Sequence, residues 1–259
     1  MSTSFPPYDS VVARLRAAGC VFAEEEARLL LAQAAGAEEL EDMLRRRVSG
    51  LPLEHILGWA EFAGLRIHVE AGVFVPRRRT GFLVERAVCL AGQEAVVLDL
   101  CCGTGALAAA MLDRRPGIEL YAADIDPAAV RCARRNLAGR GTVVEGDLFD
   151  PLPAGLRGRV DVLVANAPYV PTDAIGTMPP EARLYEAMVA LDGGADGLDV
   201  QRRVAQAAPS WLAAGGHLLV ETSDRQAPRT AELFAAAGLT TRIVGSEEFE
   251  ATVVIGRNG

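Results

Sequence analysis

The chain has 259 residues, half of them apolar, enough for one sizeable α/β core and a small accessory unit. Its 26 basic residues are all arginine, and the absence of lysine excludes Schiff-base and pyridoxal-phosphate attachment, a phosphate-loop lysine and a lysine general base. The 34 acidic residues leave a net charge of −8, which speaks against a broad nucleic-acid-binding face, because neutralising a phosphate backbone needs clustered positive charge.

Residues 9 to about 50 read as three short helices: Leu40, Met43, Leu44 and Val48 recur at helical spacing, and Gly19, Gly36 and Gly50 end the segments. Residues 1–58 are therefore expected to form an N-terminal helical domain. From Glu61 to Val75 the pattern alternates, with Leu65, Ile67 and Val69 on one face and Arg66, His68 and Glu70 on the other. A turn at Ala71-Gly72 followed by Val73-Phe74-Val75 reads as a β-hairpin linker within residues 59–80. Residues 81–259 form the main domain. Beyond residue 95 short apolar runs alternate with helical patterns, the signature of a doubly wound α/β sheet. Strands are expected at 96–100, 118–123, 142–145, 160–165, 216–221, 240–244 and 250–256, and helices near 104–113, 127–138, 198–213 and 226–237. The last two strands are joined by too short a loop for a parallel crossover, so they pair antiparallel or sit apart.

The first of these strands ends in Asp99-Leu100-Cys101-Cys102-Gly103-Thr104-Gly105, directly before a helix. Glycines allow a tight turn and close backbone approach, and a helix start offers free N–H groups. Asp124 then stands at the end of the next strand, where a ribose diol is normally gripped, and Asp147-Leu148 follows the third strand. The glycine loop by itself also fits a dinucleotide. Asp99 before the glycines and Asp147 after the third strand favour S-adenosylmethionine, which is cationic and has no pyrophosphate. On this reading Asp99 lies near the methionine moiety, Asp124 at the ribose, and Asp147 with Leu148 at the adenine. Cys101 and Cys102 read as small, inert lining beside Gly103, Thr104 and Gly105.

Strand 160–165 runs into Asn166-Ala167-Pro168-Tyr169. Pro168 holds Ala167 extended. The Asn166 carboxamide oxygen and a neighbouring carbonyl can accept both hydrogens of a planar NH₂ group while Tyr169 covers its face. An amide nitrogen is a poor nucleophile, so alignment is what such a clamp contributes. Arg77, Arg78 and Arg79 fit either a grip on an acidic substrate group or a loop paired with nearby carboxylates. Arg45, Arg46 and Arg47 suit a helix C-terminus, where positive charge is favourable. The cysteines Cys20, Cys89, Cys101, Cys102 and Cys132 have neither disulfide-framework nor zinc spacing, so a reduced, cytoplasmic compartment and no metal are expected. The N-terminus lacks a leader pattern, and no apolar run approaches the ~20 residues of a membrane span.

The segments Pro52–Gly58, Phe74–Arg77, Asp99–Gly105, Asn166–Tyr169 and Ala190–Gly197 resemble, in order and spacing, the protein-(glutamine-N5) methyltransferases that modify peptide-chain release factors. Within that family the chain is most similar to an offshoot without an established substrate. The resemblance spans about residues 10–256. It implies a seven-stranded class I S-adenosylmethionine-dependent methyltransferase domain behind a helical bundle that helps hold a protein substrate. Asn166 and the Ala167 carbonyl would hold the target glutamine amide, with Arg77 and Arg79 near the substrate. The chain departs from the family pattern in three places: Ala167 replaces the first proline of Asn-Pro-Pro-Tyr, Arg79 replaces an acidic residue, and Ala187 follows Glu186 in place of proline. Competing expectations are an amino-group methyltransferase acting on a nucleobase or small molecule, a nicotinamide-dependent oxidoreductase, and a silent cofactor-binding interaction module.

Overall fold

The computed structural model describes residues 5–259. The helices α1 (Tyr8–Ala17), α2 (Ala23–Gln33) and α3 (Ala37–Val48) are followed by a short α4 (Leu53–Leu57). Their apolar faces meet in one cluster around Leu15, Leu30, Leu40 and Leu44. Val48, expected on the buried stripe, is exposed, and Arg47 is buried in its place. Arg45 and Arg46 remain at the exposed helix end. Arg47 instead pairs with Glu26 of α2 at 2.6 Å and reaches Glu181 at 2.6 Å. A buried guanidinium needs such partners, because an unpaired charge is costly away from water.

The hairpin pairs β1 (Trp59–Phe62) with β2 (Leu65–His68) in the register Trp59↔His68 to Phe62↔Leu65. Its turn is Ala63-Gly64, with φ of +51° and +83°, and not the expected Ala71-Gly72. Two central residues at positive φ form the tight connection whose twist matches paired strands. The alternation at Leu65 to His68 therefore belongs to the second strand. Val73 packs with Ala129 and Cys132, Val75 packs with Ala60 and Val69, and Gly72 bridges to Glu186.

The main unit opens with α5 (Gly81–Leu90), a helix missing from the sequence reading although Leu83, Val84 and Ala87 already follow helical spacing. Then come β3 (Val96–Leu100), α6 (Ala106–Arg114), β4 (Glu119–Asp124), α7 (Pro127–Leu137), β5 (Thr142–Glu145) and β6 (Val160–Ala165). The chain continues with α8 (Pro180–Tyr185), α9 (Asp199–Ala207), β7 (Leu212–Thr222), α10 (Ala227–Ala236), β8 (Thr240–Ser246) and β9 (Ala251–Arg257). The helix expected to reach residue 213 stops at Ala207. Pro209 lies in the 3-10 turn that follows, where its missing N–H removes a helical bond, and β7 correspondingly starts early.

The seven strands lie in the order β5-β4-β3-β6-β7-β9-β8. β3 to β7 run parallel, and β9 is antiparallel to both of its neighbours. All residues of β3 are buried, as expected of a central strand covered on both faces. Apolar side chains of α5, α6 and α7 pack on one face, and those of α9 and α10 on the other. The strand order reverses between β3 and β6, so their carboxyl ends flank a topological switch point, where ligands bind in open α/β sheets. Among the described residues no helix is long and apolar enough to cross a membrane.

Candidate active site

A cavity of about 220 Å³ opens at the carboxyl ends of β3, β4 and β6. A single water needs only ~10–15 Å³ by that measure, so the space is of ligand size. One wall is the turn after β3, where Cys101, Gly103 and Gly105 all have positive φ, at +56°, +54° and +71°. A Cβ on Gly103 would meet nothing within 4 Å, so its absence leaves open room beside the backbone. At Gly105 the same atom would lie 3.0 Å from the Ala133 backbone, so this glycine lets α6 and α7 approach.

Asp124 accepts the Gly103 N–H at 2.8 Å on Oδ2 and the Asp126 N–H at 2.9 Å on Oδ1. Each oxygen retains a second lone pair for a ligand hydroxyl. Burial raises its pKa, and the backbone donors oppose that rise. Asp147 pairs with Arg203 at 2.8 Å, and both line the cavity beside the apolar Leu148.

Of the expected cofactor residues, Cys101, Gly103, Asp124, Asp147, Leu148 and Asn166 line this space. Asp99, Cys102, Thr104 and Gly105 stand behind it. Asp99 is fully buried, its carboxyl is pushed up to about 8 by burial, and Oδ2 has no partner. It does not line the cavity, so the structure does not bring it to the place expected for the methionine moiety. Burial also holds the Cys101 and Cys102 thiols protonated at neutral pH, so neither offers a thiolate nucleophile.

Asn166, Ala167, Pro168 and Tyr169 form the facing wall. Asn166 Nδ2 donates to Thr80 Oγ1 at 3.2 Å, which leaves the carboxamide oxygen as the acceptor available to a ligand. The loop is fixed from behind by the Gln226 amide on the Tyr169 carbonyl at 3.0 Å and by a Gly193 N–H on the Val170 carbonyl at 2.8 Å. A Cβ on Gly197 would lie 2.3 Å from the Tyr169 carbonyl oxygen and one on Gly193 2.8 Å from the Pro168 carbonyl oxygen, so these two glycines let the Ala190–Gly197 segment pack on the acceptor loop. Burial raises the Tyr169 pKa, so its ring remains a neutral phenol.

Arg77 and Arg79 also line the cavity, and both are engaged with the protein's own carboxylates. Arg77 pairs with the buried Glu186 at 2.6 Å. Arg79 pairs with the buried Glu221 at 3.2 Å and also bonds the Tyr169 hydroxyl. Ala187 donates its N–H to the Gly72 carbonyl at 2.9 Å, a bond that a proline there could not make. The sequence reading gave no site role to Thr80, Glu186, Arg203 or Glu221. Arg203 lines the cavity, and Thr80, Glu186 and Glu221 contact the lining residues Asn166, Arg77 and Arg79, placements that only the fold creates.

This sheet and this cavity define a class I S-adenosylmethionine-dependent methyltransferase fold. Residues 64–192 match the family model "Methyltransferase small domain". A methyltransferase from Pyrococcus furiosus superposes with a TM-score of 0.57 at 17% identity, covering 85% of this chain and 99% of that one. A Thermus thermophilus 16S rRNA N2 G1207 methyltransferase, in complex with AdoMet and guanosine, gives 0.56 at 20% identity, covering 78% and 50%. Release factor glutamine methyltransferase of Mycolicibacterium smegmatis is 35% identical over 93% of this chain and 92% of its own length. The Geobacter sulfurreducens protein of that name is 39% identical over 76% and 69%. The chain belongs to the release factor glutamine methyltransferase family, which sets aside the oxidoreductase reading of the glycine loop.

Proposed function

We propose that this chain transfers a methyl group from S-adenosylmethionine to the side-chain amide nitrogen of a glutamine in a peptide-chain release factor. The observation that carries the reading is Asn166. Its amide nitrogen is committed to Thr80, so its oxygen is left as an acceptor on the same cavity that holds Asp124 and Gly103.

The residues present suit the cofactor. Gly103 leaves room for a ligand against the backbone, Asp124 keeps lone pairs for two ribose hydroxyls, and Leu148 gives an apolar surface for an adenine. When bound, S-adenosylmethionine supplies the methyl group and a sulfonium leaving group that needs no acid to depart. The protein's own part is alignment. Asn166 Oδ1 and the Ala167 carbonyl would each accept one N–H of the glutamine amide, and the Tyr169 ring would lie against it. Two acceptors polarise the N–H bonds and favour the positive charge that develops on nitrogen, which then sheds one of its two protons to water to give the neutral N-methyl amide. Each such bond contributes about 1 kcal/mol net, and near-attack orientation up to about 7–11 kcal/mol. The mechanism asks for no lysine and no thiolate.

The test is transfer of labelled methyl to a purified bacterial release factor, with the modified residue located by mass spectrometry. Asn166→Ala is expected to lower transfer about a hundredfold, as loss of near-attack geometry does, while calorimetry shows cofactor binding retained. A fully active Asn166→Ala variant, or cofactor binding without transfer in the unaltered protein, would overturn the reading.

A further inference from the structure

Around Asp147 and Leu148 the cavity wall is built from three segments: the turn after β5, Ile125 after β4, and α9, which contributes Val200 and Arg203 one helical turn apart. Leu148 has φ +49°, a left-handed conformation that a leucine seldom adopts and that persists where the surroundings require it. Two consecutive residues, Asp147 and Leu148, thereby line the same cavity. Asp147 Oδ2 receives the Arg203 guanidinium at 2.8 Å, and Oδ1 makes no hydrogen bond among the described residues. We infer that Arg203 is a positioning residue for cofactor recognition: it fixes the Asp147 carboxylate and leaves Oδ1 as the acceptor for the base, so that the site takes a purine with an amino group at C6 and rejects one with an oxo group there. The inference rests on the S-adenosylmethionine reading above.

Donor and acceptor chemistry gives the contact its direction. A guanidinium only donates and a carboxylate only accepts, so the pair leaves a second carboxylate oxygen for the ligand and no competing donor on Asp147. The C6 amino group of adenine donates to such an oxygen. An oxo group at C6 presents lone pairs to it and is repelled. Leu148 and Ile125 offer apolar surface to a ring, which does not distinguish the two bases. Without Arg203 the Asp147 side chain is free to turn toward water, and its second oxygen is no longer held in place. The pair does little to hold the fold together, because its side chains are 54% and 40% exposed and ion pairs in water contribute little to stability. Discrimination gives it a use, since a site built to hydrogen-bond a ligand N–H rejects the analogue lacking it far better than an apolar pocket rejects a similar shape.

The test compares the binding of S-adenosylhomocysteine and S-inosylhomocysteine, which differ in having an amino or an oxo group at C6, by calorimetry, directly or by displacement. Neither carries a methyl group to transfer, so no acceptor is needed. The unaltered protein is expected to bind the adenosine compound about a hundredfold more tightly. Arg203→Met should cut that preference about tenfold by weakening the adenosine compound, with the inosine compound within about twofold and Tm unchanged. Asp147→Asn should remove most of the preference, because an amide can turn an N–H toward the oxo group. In protein already carrying Asp147→Asn, Arg203→Met should alter the preference by less than about twofold, since its effect passes through Asp147. A preference left intact by Arg203→Met would overturn the inference. Equal weakening of both compounds would overturn it as well, because that is the mark of an arginine that touches the ligand directly. Arg203→Gln decides the point in the same way if Arg203→Met does not fold. An unaltered protein that fails to bind S-adenosylhomocysteine at all would refute the cofactor reading, and the inference with it.

Discussion

Arg47 is the residue whose removal the structure prices most narrowly. It sits 8% exposed between Glu26, whose side chain is 10% exposed, and Glu181, which is 48% exposed. Arg47→Met keeps much of the stem and removes the charge, so Glu26 is left without its cation. Removing one partner of a buried pair ordinarily costs about 3–5 kcal/mol. Here protonation sets a ceiling. An unpaired carboxylate can take a proton, and from an unfolded value near 4.3 this costs about 1.36 kcal/mol per pH unit, or about 3.7 kcal/mol at pH 7. At pH 5 the same escape costs only about 1 kcal/mol. The sign follows from linkage: a carboxyl buried without a cation holds a proton more tightly folded than unfolded, so the variant loses stability as pH rises from about 4. Urea denaturation at the two pH values measures both quantities. The expected result is a loss near 3 kcal/mol at pH 7 that shrinks by more than half at pH 5, with most of it restored in Arg47→Met combined with Glu26→Met. A loss below about 1 kcal/mol at pH 7, or one independent of pH, would refute the reasoning.

Two further outcomes follow from groups that the fold buries or reshapes. Asp99, held near 8 against an unfolded 3.8, binds more protons folded than unfolded between those values, so its contribution to stability falls as pH rises through that window. Asp99→Asn should therefore gain in Tm relative to the unaltered protein as pH increases from 4 to 8, and a constant difference would count against the buried carboxyl. Ala187 has φ −62° and follows Glu186 at φ −104°, ψ 149°, a backbone ready for proline. Ala187→Pro trades the bond to Gly72 for a less flexible unfolded chain, so urea unfolding should move by less than about 1 kcal/mol. A larger loss would show that this bond anchors the segment.

Much of the fold was legible because each strand of the main sheet is a short apolar run and each helix carries its own period. The glycine loop, Asp124, Asp147 and the Asn166 segment were legible for a related reason: all sit at strand ends, where sequence position and spatial position coincide. The hairpin turn was misplaced because alternation gives strand character without direction, and Ala63 in a left-handed conformation carries no composition signal. Arg47 hid within a basic run that otherwise behaves as a solvated helix end. Glu221 and Thr80 were invisible for a deeper reason. They lie 141 residues apart, one in the turn at residues 78–80 and one near the end of β7, and nothing in the sequence relates the two segments.

The two thiols at the glycine turn, Cys101 half-buried and Cys102 buried, bear on chemical self-protection. A site that confines a methylating electrophile exposes its own side chains to alkylation for as long as the reagent stays bound. Thiolates, unprotonated amines and methionine thioethers are the protein groups most readily methylated. Cys101 borders the cavity and Cys102 stands directly behind it, and burial keeps both as thiols. Lysine is absent from the chain, and its arginines remain charged, with no free lone pair to attack. The walls that align an acceptor nitrogen therefore present it with neither a thiolate nor a free amine as a competitor, and Met178 is the lining side chain with a nucleophilic sulfur.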